Sequence, residues 1–352
     1  MRLIRIQTSY TTHEPVRPSV RAGRWAAAIF FVSSVSATPA SAQIVEVAGV
    51  RALGMAGAFV AVANDSSATW WNPAGLAEGP FLDMALARTI NEASERVPAR
   101  RDRVVGFTMA TPPVGFSFYR LRLTQIAGSG STADLPANRE DERAGTVRSL
   151  AVTQFGATFI QTLSPGIHAA TTLKYVRGTA RIGMAAALTF DVGERLDEGD
   201  DLAGGGSEGR FDVDAGVLAV AGPFRLGVTG RNLGAPKFGE IEMPRQVRAG
   251  VAFDASRRTG VPLVVAVDVD VRKYQTATGD RRVVAAGAER WFRERRLGIR
   301  AGARINSVGG GDPVATVGAS WAVRPGAYAD GYVARGGDAA ERGWGVAMRV
   351  SF

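Results

Sequence analysis

The chain ends on Trp344-Gly345-Val346-Ala347-Met348-Arg349-Val350-Ser351-Phe352. Bulky apolar residues alternate with small or polar ones, and an aromatic residue closes the sequence. A period of two places the two sets on opposite faces of a strand, one oily and one wet. One such strand also fits the edge of a soluble sandwich, so the fold is decided by whether the pattern recurs.

It recurs from Phe81 onward. Fourteen alternating segments are predicted, at 81–91, 102–110, 114–126, 146–162, 166–180, 209–221, 224–232, 245–255, 261–271, 281–292, 296–305, 312–323, 326–335 and 342–352. Their connections are of two kinds that alternate along the chain. One kind is tight and rich in turn residues: Thr111-Pro112-Pro113, Ser164-Pro165-Gly166, Gly222-Pro223, Ser256 to Gly260, Arg293 to Arg296 and Arg324-Pro325-Gly326. The other kind is mostly longer and polar, as at 127–145 and 181–208. Short turns at one end and long loops at the other are the asymmetry of an outer-membrane barrel. Within 181–208, Met184 to Val192 reads either as a loop helix or as an extra strand that would break the even count.

The alternation assigns faces. Phe211, Val213 and Val217 oppose Asp212 and Asp214; Phe224, Leu226 and Val228 oppose Arg225 and Arg231. In the same way Arg248, Asp268, Asp270, Arg300, Arg304 and Arg349 fall on the wet face of their strands. An Arg or Lys facing lipid at mid-bilayer costs about 2–4 kcal/mol, so these charges are expected to line the lumen and pair across strands. Trp291, Phe292, Trp321, Trp344 and Phe352 are expected to form an aromatic girdle at the turn-side interface.

The N-terminus reads as a secretory signal: Arg21 and Arg24, an apolar run from Trp25 to Val35, and the small-residue site Ala40-Ser41-Ala42. Cleavage after Ala42 leaves 310 residues and lowers the net charge from +9 to +5. The remaining basic residues are Arg spread singly along strands, which disfavours nucleic acid as a partner. With no Cys in the chain, disulfides and thiolate chemistry are excluded. After Gln43 no apolar run approaches the ~18 residues of a membrane-spanning helix.

Residues 43–80 do not alternate. Gly49 to Ala63 is small, apolar and glycine-studded, and Asn64-Asp65-Ser66-Ser67 reads as a turn or helix cap. Trp70-Trp71-Asn72-Pro73-Ala74-Gly75-Leu76 follows. The segment is compact enough to sit inside a barrel as a plug, giving three parts: 1–42 signal peptide, 43–80 helical hatch and 81–352 barrel. The fold expected is all-β, a fourteen-stranded antiparallel transmembrane barrel with a small N-terminal helical hatch in its lumen.

Gly54 and Gly57, Asp65 and then Asn72-Pro73-Ala74-Gly75-Leu76 resemble the N-terminal hatch of the FadL superfamily of outer-membrane barrels. Arg231-Asn232-Leu233-Gly234, Met243 to Val251, Gly287 to Trp291 and Arg300-Ala301-Gly302 are similar to its PorV branch, and conjugal-transfer TraF-like barrels share much of the pattern. The resemblance has two implications for function. FadL-type members pass small hydrophobic compounds by diffusion, with a gap in the barrel wall near the Asn72-Pro73-Ala74 element. PorV-type members serve protein secretion at the outer membrane and carry no permeating substrate.

Passive transport of small hydrophobic compounds is the leading expectation. It calls for a ligand-sized pocket between hatch and wall, lined by Phe59, Trp70, Trp71 and Leu76, with Asp65 and Asn72 holding the hatch. The alternative is an envelope scaffold or shuttle with a filled lumen. The expected surroundings are outer-membrane lipid, with a small hydrophobic ligand or an envelope or secretion protein as partner. No cofactor or metal is called for. An enzyme is disfavoured, because the mature chain has one His, His168, without a Ser-rich constellation.

Overall fold

The computed structural model describes residues 41–42, 48–94, 98–127, 145–185, 192–199, 201–276, 279–308, 313–337 and 342–352. The leader expected over 1–42 lies outside these residues except for its last two.

Fourteen strands close into a barrel. They are β1 (Asp83–Ala93), β2 (Ala99–Thr111), β3 (Val114–Ala127), β4 (Gly145–Ser164), β5 (Ile167–Ala185), β6 (Ser207–Ala221) and β7 (Phe224–Arg231). The second half is β8 (Gln246–Asp254), β9 (Leu263–Asp270), β10 (Val283–Phe292), β11 (Leu297–Asn306), β12 (Val314–Arg324), β13 (Ala327–Gly336) and β14 (Arg342–Ser351). Each pairs antiparallel with its chain neighbours, and β14 closes against β1 from Arg342↔Glu92 to Ser351↔Asp83. Among the described residues no helix is long and apolar enough to cross a membrane.

Side-chain parity follows the sequence pattern. Phe211 is 85% exposed on the lipid side of β6, while its neighbour Asp212 is buried in the lumen. Asp212, Asp214, Arg225, Arg231, Arg248, Asp268, Asp270, Arg300, Arg304 and Arg349 are all buried. Two aromatic placements differ from expectation. Trp291 shares the inward parity of Glu289 and is buried edge-on to Tyr328. Trp344 faces lipid, but it opens β14 just after a long loop and so sits at the loop end. Trp321, Phe292 and Phe352 do face outward at the turn end.

Of the stretch Met184 to Val192, residues 186–191 lie outside the described residues; among the described residues, 181–208 adds no further strand and carries the helix α1 (Val192–Glu198). Leu196 packs on Ala99, Ile126 and Val147, which point outward at the tops of β2, β3 and β4. The loop therefore folds down over the outside of the rim. A transmembrane strand needs about 9–11 residues, whereas β4 has 20 and β5 has 19. The surplus forms a raised lip, and this loop covers its outer face. Also at the loop end, Ser41–Ala42 adds in parallel to Ile241–Glu242 and Thr276 in a small sheet.

The hatch occupies the lumen. It comprises the helices α2 (Val50–Gly54) and α3 (Ala68–Trp71) and a 3-10 helix over Pro73–Glu78. Asn72 is extended, as its position before Pro73 requires, and its side chain caps the 3-10 helix by accepting from the Ala74 N–H at 3.2 Å. Gly75 is the close-approach point, where a Cβ would overlap the Ala63 carbonyl.

The wall gap implied by the resemblance is not present beside Asn72 and Pro73. These residues lie against Gly216 on β6, and β5, β6 and β7 pair there residue for residue, Ala170↔Gly216↔Thr229. The two register shifts between described strands occur at turn-side ends, Thr162/Ser164 and Ala322/Arg324.

Candidate functional site: the seat of the hatch

Three kinds of contact hold the hatch to the wall. The first is a line of glycines on inward strand positions. A Cβ on Gly302 would come within 2.5 Å of the Met55 backbone, and one on Gly287 within 2.6 Å of the Met55 carbonyl. One on Gly227 would meet the Val60 carbonyl at 2.6 Å, and Gly318 lies against the Cα of Gly54. These positions let hatch backbone touch wall backbone.

The second is a charged chain that crosses six neighbouring strands. Arg51 on α2 donates from Nε to Glu289 Oε1 on β10 at 2.8 Å and from Nη2 to Glu289 Oε2 at 2.5 Å, a bidentate pair. Its Nη1 donates to Asp65 at 3.1 Å and to Asn64 at 2.6 Å. Arg300 on β11 takes up the other side of Glu289 at 2.6 Å. From there Arg300 bonds Ser320 on β12, and Ser320 bonds Asp330 on β13. Arg349 on β14 joins Asp330 at 3.1 Å and Asp83 on β1 at 3.5 Å. Asp83 accepts from the Ser66 backbone N–H at 2.8 Å, which returns the chain to the hatch.

The third is direct capping of hatch backbone by wall side chains. Asp268 on β9 accepts from the N–H groups of Phe59 and Val60, at 2.7 and 2.8 Å. Thr316 donates to the Gly54 carbonyl at 3.0 Å. In the opposite direction, Asn72 Nδ2 donates to Val60 within the hatch at 2.9 Å and to Val217 in β6 at 3.1 Å.

The remaining wet-face charges pair as ladders. Lys174 bridges Asp212 at 2.7 Å and Asp214 at 2.6 Å. Arg248 meets Asp270 at 2.8 Å, and Arg225 meets Asp254 at 2.6 Å. Arg231 lies over the Trp70 ring, 3.8 Å from its centroid, and Trp70 also stacks edge-on to Tyr119.

Phe59, Trp70, Trp71, Ala74 and Leu76 are all packed in the interior. Two described cavities beside them are water-sized, about 30 Å³ near Arg51, Asp65 and Tyr119 and about 10 Å³ near Trp71 and Arg248. The ligand-sized pocket expected between hatch and wall is not found among the described residues, because Arg231, Tyr119 and the inward glycines bring the wall against the rings. His168 bonds Thr162 at 3.0 Å and lies 3.6 Å from Glu78.

Sequence reasoning brought out Asp65, Asn72 and the ten lumen charges but passed over Arg51, Glu289 and Lys174. Arg51 is the one charge in the small apolar run 49–63, and Glu289 and Lys174 have inward parity in their strands. Those were the available signals.

Residues 93–270, half of the chain, match the family of the F plasmid transfer operon TraF protein. The chain belongs to that family. No curated protein matches this TraF-family sequence. Among solved structures it is similar to the CymD monoaromatic hydrocarbon channel, with a TM-score of 0.61 and 14% identity over 86% of this chain and 96% of that one. The Ralstonia pickettii toluene transporter TbuX gives 0.58 and 14%, over 86% and 98%. A Pseudomonas aeruginosa FadL homologue gives 0.54 and 10%, over 88% and 99%. The fold of this TraF-family protein is thus that of the FadL-type outer-membrane barrels.

Proposed function

We propose that the protein is a passive transport barrel of the outer membrane for small hydrophobic compounds, held shut by its hatch. The observation that carries this reading is the seat. The hatch is fixed by desolvated ion pairs and backbone contacts on a glycine-smoothed wall. Buried ion pairs add little net stability compared with apolar packing but specify one geometry. A plug seated in this way is well defined and can be released, whereas a plug meant only as core gains more from apolar packing. The fold shared with hydrocarbon channels supports the same reading. Phe59, Trp70, Trp71 and Leu76 would meet a permeant only after the hatch has shifted. A signal peptide cleaved after Ala42 belongs to this proposal; cleavage there removes the Ser41–Ala42 strand from the small loop-end sheet.

A second reading is favoured by the filled lumen and by the family's plasmid-transfer description: an envelope scaffold or shuttle without a permeating substrate. Uptake of labelled toluene by cells with and without the protein separates the two. Uptake above the control supports transport. Uptake equal to the control, with an envelope protein co-purifying, would favour the scaffold.

A further inference from the structure

The tight turns at the turn end of the barrel divide into two sets. Those after β2, β4 and β6 hold no charge: Thr111-Pro112-Pro113, Ser164-Pro165-Gly166 and Gly222-Pro223. Those after β8, β10 and β12 carry Arg257, Arg258, Arg293, Arg295, Arg296 and Arg324, with Glu294 as the single carboxylate. Arg257 is engaged with Glu78 and Asp254. Arg293, Arg295, Arg296 and Arg324 are exposed, and among the described residues no carboxylate pairs with their side chains. One set of turns is therefore strongly basic and the other is uncharged.

The turn 293–296 holds its charges at a conformational cost. Arg293, Glu294 and Arg295 have φ of 50°, 54° and 68°, left-handed backbone that glycine enters far more readily. Glycines would join β10 to β11 without that strain, so charge is kept here against the backbone preference. The Ala322 N–H donates to the Arg296 carbonyl at 2.8 Å, which sets this turn beside the end of β12, where Arg324 stands. Inside the wall, Arg290 faces lipid and is exposed. Its cross-strand neighbours are Leu263 and Ile299. It is the one charged residue among the outward positions of β9, β10 and β11. Its guanidinium carbon lies 4.9 Å from the centroid of the Phe292 ring. Phe292 is two positions nearer the turn on the same face, so the charge leans out of the apolar belt toward the turn end. Phe292 and Trp321, aromatic and outward, set the interface at that level.

An arginine that leans from the apolar belt meets headgroups before bulk water, and the turn arginines lie just beyond it. A lipid phosphate is the anion present at that depth, and guanidinium binds phosphate oxygens in a bidentate fork. A soluble acidic protein reaches the turns but not Arg290, which is bordered by Leu263, Ile299 and Phe292. From this placement we infer that the basic side of the turn end binds an anionic glycerophospholipid of the adjoining leaflet. The phosphate is held between Arg290 on the belt side and Arg293, Arg296 and Arg324 on the turn side. The acyl chains run over Leu263 and Ile299. Arg295 takes no phosphate, because its guanidinium is drawn to Trp291, 5.0 Å from that ring's centroid. Arg290, Arg293, Arg295, Arg296 and Arg324 against Glu294 leave a surplus of four positive charges. That surplus favours a headgroup of net negative charge over a zwitterionic one that brings its own ammonium. The site is separate from the hatch and does not depend on the transport proposal.

The test is native mass spectrometry of the full-length protein in a non-ionic detergent, titrated with phosphatidylglycerol, with phosphatidylethanolamine of the same acyl chains, and with hexaglutamate. Phosphatidylglycerol should bind about tenfold tighter than phosphatidylethanolamine. The triple variant Arg290→Gln/Arg296→Gln/Arg324→Gln should bind the two lipids alike. Arg335→Gln, exposed at the loop end, should keep the wild-type preference. Heat-modifiable gel mobility reports that each variant is folded. Equal binding of the two lipids by the wild type, or an undiminished preference in the folded triple variant, would overturn the proposal. Hexaglutamate binding tighter than phosphatidylglycerol would also overturn it and assign these turns to an acidic protein. Should the triple variant fail to fold, Arg290→Gln alone decides. Its preference should fall about threefold, and an unchanged preference would contradict the site.

Discussion

Arg51 is the residue on which the seat depends. It lies in a buried environment and makes contacts with Glu289, Asp65 and Asn64 together. Removing one partner of a buried ion pair leaves the other charge uncompensated, at a cost of about 3–5 kcal/mol. Arg51→Ala should therefore loosen the hatch while leaving the barrel closed. Limited proteolysis should then cut within residues 48–80, and heat-modifiable mobility should persist. Arg51→Lys should restore little, because an ammonium cannot reproduce the bidentate fork that the guanidinium makes with Glu289. Unaltered protease resistance in Arg51→Ala would show that the seat does not rest on this residue. The importance of Arg51 was only half legible in the sequence. Alternation can say that Glu289 points inward, but not that a residue 238 positions away meets it. A segment without a period of its own, such as 49–63, gives no face on which to place its charge.

At the scale of elements, strand count, turns and side-chain parity were readable because each strand faces two solvents and must alternate. The lateral gap, the inward turn of Trp291 and the loop-end position of Trp344 were not read correctly. A gap depends on register between strands, which one strand's pattern does not encode. Trp344 follows a long loop, so the first residues of β14 stand at the loop end.

The same elements carry two predictions. A side chain at Gly302 has no room against Met55. Gly302→Val should displace α2, since backbone cannot be relieved by a rotamer change, and should make the hatch protease-sensitive as Arg51→Ala does. A folded Gly302→Val barrel with a fully protected hatch would contradict the close seating. The rim helix makes the other prediction. Partial burial disfavours the charged form of Asp197, but hydrogen bonds from Arg103 and Arg101 outweigh it and lower its pKa. A carboxylate with a depressed folded-state pKa contributes above its unfolded value and loses that contribution as pH falls through the folded one. The α1 loop should thus stay latched at neutral pH and release only below the ordinary carboxylate range. Hydrogen exchange of residues 192–199 across an acid series reads this directly. Release at pH 6–7 would contradict the Arg101–Asp197–Arg103 latch.

The described residues form a barrel whose lumen holds the segment 48–80. Charges alternate in sign across the inner wall, so pairing within the protein replaces water inside. Proteins of this fold that conduct small molecules need an unobstructed path, and the two described cavities beside the hatch are water-sized. On the transport proposal the hatch must move, and the ionic seat is where that motion would begin.

Conductance of single barrels in planar bilayers tests this most directly, comparing the full-length protein with Arg51→Ala and Gly302→Val. The account predicts a silent wild type and discrete conducting events in both variants. A wild type with a steady ohmic current equal to that of the variants would contradict the sealed lumen.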